Sequence, residues 1–223
     1  MRTIILLSAL FIFGISRAQT NSEVRILPDF SGIKSSGSFD ITLIPSDKNE
    51  ITLFGEKEST SRILTTVKDG RLTIKPEKGF KKYKTIKIEI RCTTIEEINL
   101  FGSGDFKSEL ISVEKLKFSS SGSGDCSLIA ECTSLVVNIS GSGEYRLAGK
   151  ATSINLKSFG SGNIHAFEME AETITIESKG SGEIDLNAAE LINGEAFGSG
   201  DIECQGGAKV EIQKQGSGTI TTR

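Results

Sequence analysis

The amino-acid sequence predicts an all-β chain: a right-handed single-stranded β-helix, or β-solenoid, with coils of 18–20 residues and irregular N-terminal coils. Two observations predict it. First, the phrase Gly-Ser-Gly followed by a small polar or acidic residue begins at Gly102, Gly122, Gly141, Gly160, Gly180, Gly198 and Gly216, at spacings of 20, 19, 19, 20, 18 and 18. Second, apolar residues occupy every second position on both sides of it. Six residues before the first Gly stand Leu116, Leu135, Ile154, Ile174, Ile192 and Val210. Four before stand Ile98, Phe118, Val137, Leu156 and Ile176, then Gly194, then Ile212. Four after stand Phe106, Cys126, Tyr145, Ile164, Ile184, Ile202 and Ile220. Period two is the signature of strands, and the β-branched residues in these columns suit a pleated, half-buried surface. The positions between carry Lys117, Asn138, Asn155, Lys157, Thr175 and Glu177, which face water.

A repeat this short is two strands plus corners and cannot bury its own apolar face. Stacked repeats do so, each coil bonding to its neighbours through the backbone. The crossover preference makes the winding right-handed. Seven coils at ~4.8 Å each give a rod of about 35 Å.

Taken in order, the chain begins with a leader. Arg2 is a short basic segment, residues 4–15 are an apolar run too short for a comfortable membrane span, and Ser16-Arg17-Ala18 is a small-x-small cleavage signal. Residues 1–18 therefore read as a signal peptide and 19–223 as one exported β-helix domain. No Cys follows the apolar run, which argues against a lipid anchor there. Residues 24–95 form the irregular N-terminal coils, with strands at 24–30, 37–45, 51–55, 71–76 and 84–91. Residues 58–66 have the choice of a helical turn, although "ILTTV" favours strand. "KSSGSFD" at 34–40 looks like a degenerate copy of the repeated phrase. This region is expected to cap the solenoid and protect its exposed sheet edge. Residues 96–223 form the regular coils. At their corners, Gly102, Gly104, Gly122, Gly124, Gly141, Gly143, Gly160, Gly162, Gly180, Gly182, Gly198, Gly200, Gly216 and Gly218 are structural turn residues. Each either takes a backbone conformation other residues avoid or lets two backbones approach closely. The Ser between them is placed to bond along the stack. The chain stops at Arg223, just after the last phrase, so that end reads as uncapped and open to a partner or a second copy as a homo-oligomer.

Signal peptide, irregular β region and serial "GSGD", "GSGE" and "GSGN" phrases together resemble one bacterial family. It is the putative auto-transporter adhesin, head GIN domain family, a domain of unknown function of Bacteroidetes-type bacteria. The elements that carry the resemblance are "FGSGD" at Phe101, "SGSGD" at Ser121, "SGSGE" at Ser140, "FGSGN" at Phe159, "KGSGE" at Lys179, "FGSGD" at Phe197 and "QGSGT" at Gln215. They lie in a resemblance spanning about 24–223. It implies a right-handed β-helix similar to pectin-lyase-like folds and a role in adhesion. It implies no catalytic residues.

The remaining composition bounds the chemistry. Net charge is −3, and loss of Arg2 and Arg17 with the leader takes it to −5, which excludes a general nucleic-acid binder. The densest basic stretch, residues 78–84, reads as a solvated loop. The column three after the first Gly is Asp105, Asp125, Glu144, Asn163, Glu183, Asp201 and Thr219. Stacked at ~5 Å, two carboxylates repel by about 0.8 kcal/mol in water, so a calcium ion along this column is one reading. An outward, solvated column is the preferred one, and no metal or cofactor is assigned. His165, the only His, falls on the solvent-facing parity with no adjacent acid in sequence. Cys92, Cys126, Cys132 and Cys204 match no zinc spacing, and Cys126 and Cys204 are four coils apart, ~19 Å, beyond disulfide reach. They read as free, mainly buried thiols. The column just before the phrase, Phe101, Ser121, Ser140, Phe159, Lys179, Phe197 and Gln215, has outward parity yet three Phe. The preferred reading tucks these rings beside the corner; the other makes them an interaction surface. With no Trp and two Tyr, platforms for sugar stacking are few.

The expectation is therefore a non-enzymatic exported protein, periplasmic or at the cell surface, that acts as an adhesion or envelope interaction module with a protein or glycan partner. A carbohydrate-active or calcium-binding protein on the same scaffold is the alternative, and a concave groove with convergent carboxylates discriminates the two. A small-ligand binding protein would need a pocket that close-packed columns do not leave.

Overall fold

The computed structural model describes residues 21–80 and 86–223. The leader reading, residues 1–18, and the basic residues Lys81, Lys82 and Lys84 lie outside them. The described chain is a β-solenoid of about seven turns. Its elements are β1 (Ser22–Ile26), β2 (Gly32–Ser36), β3 (Phe39–Pro45), β4 (Glu50–Phe54), α1 (Lys57–Thr60), β5 (Ile63–Lys68), β6 (Arg71–Pro76), β7 (Ile86–Cys92), β8 (Glu97–Gly102) and β9 (Phe106–Ser108). The regular coils follow as β10 (Ile111–Gly122), β11 (Cys126–Gly141), β12 (Glu144–Gly160), β13 (Asn163–His165), β14 (Met169–Gly180), β15 (Ile184–Gly198), β16 (Ile202–Gln205), β17 (Lys209–Gly216) and β18 (Ile220–Thr222).

Every pairing among β8 to β18 is parallel and joins one coil to the next, with one shift of register, between Ala171 and Thr173 where β14 pairs with β15. Phe118 pairs with Ile98 and Val137, Val137 with Leu156, and Leu156 with Ile176. On the other side of the corner Cys126 pairs with Phe106 and Tyr145, Ile164 with Tyr145 and Ile184, and Ile202 with Ile184. These apolar columns are the core: Phe118, Val137, Leu135 and Ile192 are fully buried, and Tyr145 is among the largest side chains buried completely. Burial parity holds through the Gly-Ser-Gly phrase, where Ser120, Gly124 and Cys126 are all buried, and switches near Cys132–Ser134, where the strand turns a corner while continuing to pair. A column two residues before the phrase is also interior. Ser35, Ser120, Ser158 and Ser178 are buried in it, and the Tyr145 hydroxyl meets Ser120 Oγ at 3.4 Å. The period of two that puts Leu116 and Phe118 inside puts Ser120 inside as well.

The N-terminal region departs from serial winding. β2 pairs in parallel with both β6 and β8, and β3 with both β7 and β9. The coil β2–β3 therefore lies between β6–β7 and β8–β9 in the stack, although it comes first in sequence. Antiparallel strands extend the two sheets beyond it: β5 on β6, β4 on β7, and β1 on β4. The β5–β6 reversal follows from Asp69-Gly70, with φ of 51° and 71°, the pair of positive angles a two-residue hairpin needs. Two corrections to the strand reading follow. Residues 32–36 are a separate strand, and 57–68 hold both the helical turn α1 and the strand β5. Phe30, Ile51, Leu53, Thr60 and Ile63 are buried here and close that end of the core. At the other end, β17 and β18 are mostly exposed, and Val210, Ile212 and Ile220 pack against the core while only partly covered.

Candidate functional site

The corner built by the repeated phrase carries most of the chemistry-bearing side chains. The two glycines are a packing requirement. A Cβ at Gly122 would lie 1.6 Å from Gly102 O, at Gly141 1.8 Å from Gly122 O, and at Gly216 2.0 Å from Gly198 O. At the second glycine the contact recurs: 2.0 Å from Gly124 to Gly104 O and 2.2 Å from Gly200 to Gly182 O. No side chain fits at such distances from a neighbouring coil's carbonyl. The degenerate copy keeps the geometry at its first position, where Gly37 N donates to Phe101 O at 2.9 Å. Ser hydroxyls between the glycines bond across coils at both ends of the rod, Ser38 to Ser103 at 3.0 Å and Ser199 to Ser181 at 3.2 Å.

The acidic column is a hydrogen-bond ladder. Asp40 Oδ1 accepts from Asp105 N–H at 3.2 Å, Asp105 Oδ1 from Asp125 N–H at 3.0 Å, and Asp125 Oδ1 from Glu144 N–H at 2.9 Å. Asn163 Oδ1 accepts from Glu183 N–H at 2.9 Å, and Asp201 Oδ1 from the Thr219 N–H and hydroxyl at 2.7 and 2.8 Å. Each side chain thus caps the backbone of the next coil where the sharp corner leaves an N–H without a strand partner. The backbone bond from Thr219 holds the Asp201 carboxyl below the usual carboxylate range. The column is therefore neither merely solvated nor a bare row of repelling charges. Among the described residues, no group of three His, Cys, Asp or Glu side chains is placed to hold a metal ion.

At Glu144 the ladder changes. The longer side chain overshoots the backbone, and its Oε1 accepts from Asn163 Nδ2 at 2.9 Å. Its Oε2 meets His165 Nε2 at 2.8 Å, while His165 Nδ1 meets Asp185 Oδ2 at 3.0 Å. His165 therefore does have acids beside it, one coil before and one coil after. The sequence signal was the register: Arg146, His165 and Asp185 are successive members of one column. The bond to Asp185, then that to Glu144, raises the His165 pKa above its ordinary value, and the His bond lowers that of Glu144. With both ring nitrogens facing carboxylates, neither is free to take a proton from a nucleophile.

The column before the phrase is an outer surface. Phe101 is 44% exposed and Phe159 36%, so these two rings are not tucked away, whereas Phe197 is half-buried. Lys179 Nζ stands 5.5 Å from the Phe159 ring centre and 5.6 Å from that of Phe197, between the two, and Lys34 stands 5.6 Å from Phe101. Lys179 and then Lys157 bind Glu177, whose pKa falls to about 2. Elsewhere on the rod a shallow groove of about 490 Å³ has Cys132, Ala151 and Ala171 along it and Glu131, Glu170 and Glu172 at its rim. The three carboxylates are exposed, and Glu170 faces Lys150 at 3.7 Å. All four cysteines are free thiols; Cys92, Cys126 and Cys204 are buried, and Cys132 is half-buried. Burial pushes Cys92 and Cys204 to about 11 and Cys126 to about 12.

This geometry defines a β-solenoid whose corners are glycine contacts capped by acids. The chain belongs to the family described as putative auto-transporter adhesin, head GIN domain, which it matches over residues 29–208. It is similar to the crystal structure of a putative adhesin from Bacteroides fragilis NCTC 9343, with 27% identity and a TM-score of 0.85 over 93% of this chain and 98% of that one. A structure described as a putative lipid binding protein from Parabacteroides distasonis ATCC 8503 shares the fold, at 21% identity and a TM-score of 0.72 over 92% of this chain and 97% of that one. A putative adhesin from Parabacteroides merdae ATCC 43184 does too, at 20% and 0.69 over 92% and 97%. No curated protein matches the chain. Among the described residues no helix is long and apolar enough to cross a membrane.

Proposed function

We propose that this protein is a non-enzymatic adhesion module of the cell envelope, exported by its leader, that binds a protein or glycan partner through the outer surface of the rod. One observation carries this reading. The acids and the histidine at the corners bond from coil to coil, whereas the rings of Phe101 and Phe159 stand exposed beside them. Chemistry-bearing side chains serve the scaffold, and apolar surface is left for contact. Family membership and the Bacteroides fragilis relative support adhesion and an envelope or extracellular setting. Residues 19–223 then act as a single domain, with 24–95 as its cap.

The test is retention on immobilised mucin, extracellular-matrix proteins and cell-wall glycans, with release of soluble sugar followed in the same wells. Retention without turnover, reduced at least tenfold in a Phe101→Ser, Phe159→Ser, Phe197→Ser triple variant, is the expected outcome. Sugar release, or retention that ignores the triple substitution, rejects the proposal.

A further inference from the structure

We propose that His165 is a proton-operated clamp that ties three successive coils together through Glu144 and Asp185. The geometry requires two protons on the ring. Nε2 faces Glu144 Oε2 at 2.8 Å and Nδ1 faces Asp185 Oδ2 at 3.0 Å. An ionised carboxylate only accepts, and a neutral imidazole has one N–H. Deprotonation therefore turns one of the two contacts into a lone pair against a carboxylate.

The clamp sits where backbone support is thin. β13 is three residues long, Asn163–His165, and it shares three register pairs with β12 and two with β15. Chain then turns through 166–168 before β14 resumes pairing. Side chains supplement this short ladder: Glu144 from the coil before, Asp185 from the coil after, and Asn163, which bonds Glu144 and caps Glu183 N–H.

The charged groups around the ring decide the direction. From β12 come Glu144 and Arg146, the latter in register with His165; from β15 comes Asp185. Glu183 precedes β15, and Glu203 on β16 follows Asp185 in the column but is paired with Arg223. Arg146 opposes protonation, and the two carboxylates in hydrogen-bond contact with the ring favour it. The pKa of His165 is accordingly raised, first by Asp185 and then by Glu144. For a group raised on folding, the added stability is complete below the unfolded value of about 6.5 and is lost as pH rises through the folded value. The clamp is closed in mildly acidic surroundings and opens toward alkaline pH.

Because His165 is the only histidine, histidine-labelled protein without an affinity tag of that residue gives one ring signal to titrate by NMR. The expected midpoint lies above about 6.5, and falls in Glu144→Gln and Asp185→Asn, which keep the shape of each partner. Protection of amides 163–168 from hydrogen exchange, corrected for intrinsic rate, should drop severalfold across that midpoint, and should not in His165→Gln. A midpoint at or below the free value, or protection that is the same on both sides of it in the unsubstituted chain, overturns the clamp. The titration and exchange of the unsubstituted chain decide the matter even where a variant fails to fold.

Discussion

The glycine contacts make a quantitative prediction at Gly198. Its φ is 128°, a region L side chains rarely adopt, and an added Cβ would stand 2.1 Å from Gly180 O, 3.0 Å from Gly180 C and 3.1 Å from Gly180 N. Relief needs the two coils to part by about 1 Å, against a strand spacing held near 4.8 Å by the flanking ladder. Backbone strain costs about 1–3 kcal/mol and overpacking a similar amount. The oxygen that must move also accepts from Ser199 N at 3.1 Å and Gly200 N at 3.3 Å, so two further bonds weaken, each worth about 0.5–1.5 kcal/mol. Gly198→Ala should therefore destabilise by about 4 kcal/mol. At about 2–4 °C per kcal/mol for a chain of this size, the thermal midpoint drops by about 8–16 °C. Gly70→Ala is the control: its φ of 71° is also positive, but nothing lies within 4 Å of the added Cβ. It should cost about 1–2 kcal/mol for conformation alone. The chain has no Trp, so far-ultraviolet circular dichroism is the readout. If Gly198→Ala melts within about 3 °C of the unsubstituted chain, or no lower than Gly70→Ala, the coils are not held in the close contact described and the argument from packing fails.

Four further predictions follow from the corners, the core and the leader. Asp125→Ala should cost about 1 kcal/mol, by analogy with a lost helix cap, whereas Asp125→Asn keeps an accepting oxygen for Glu144 N–H and should stay within about 0.5 kcal/mol; equal losses in thermal melts would mean that charge, not capping, is what matters. Millimolar calcium should leave both melts unchanged, and a rise in the unsubstituted chain alone would restore the cation reading. Native alkylation read by mass spectrometry should modify Cys132 alone, because burial keeps Cys92, Cys126 and Cys204 as thiols, while denatured protein should take four labels. Export in a bacterial host should yield a mature chain beginning at Gln19, and any other N-terminus in intact-mass analysis refutes cleavage after Ala18.

The regular coils were legible because their information is local. Alternation around each Gly-Ser-Gly phrase named Leu116, Val137, Ile176 and Ile202 as interior, and these residues are buried. The stack order of the first coils was not legible. β2–β3 and β6–β7 carry similar apolar patterns, and which of them meets β8–β9 is decided by long-range parallel pairing that no period reveals. Ser35, Ser120, Ser158 and Ser178 were missed because a hydroxyl reads as polar, whereas beside the glycine corner a small side chain is what lies inside. The partners of His165 were missed for a different reason. Asp185 is 20 residues away and Glu144 is 21, distances that mean nothing in sequence and about one coil in space. The column five residues after the first Gly runs Arg146, His165, Asp185, and it sets the acid beside the ring.

The phrase itself is then best understood as two constraints laid side by side. The glycines let one coil's carbonyl lie where a side chain would otherwise be, and the next coil cannot approach without them. The acid at the fourth position answers the backbone N–H that this bend leaves unpaired. Its repulsion from the next acid, about 0.8 kcal/mol at ~5 Å in water, is smaller than the ~1.5–3 kcal/mol of a hydrogen bond to a charged group. An amide accepts nearly as well, which is why Asn163 stands in the same column without interrupting the rod, while Thr219, the last member, donates to Asp201 through its N–H and its hydroxyl. The residue before the phrase is under none of these constraints. It points outward, meets no neighbouring carbonyl and caps nothing, so Phe101, Ser121 and Lys179 are interchangeable as far as the fold is concerned. A scaffold fixed at its corners and free at the adjoining outward position is suited to carrying a binding surface, because that surface can change without moving the coils beneath it.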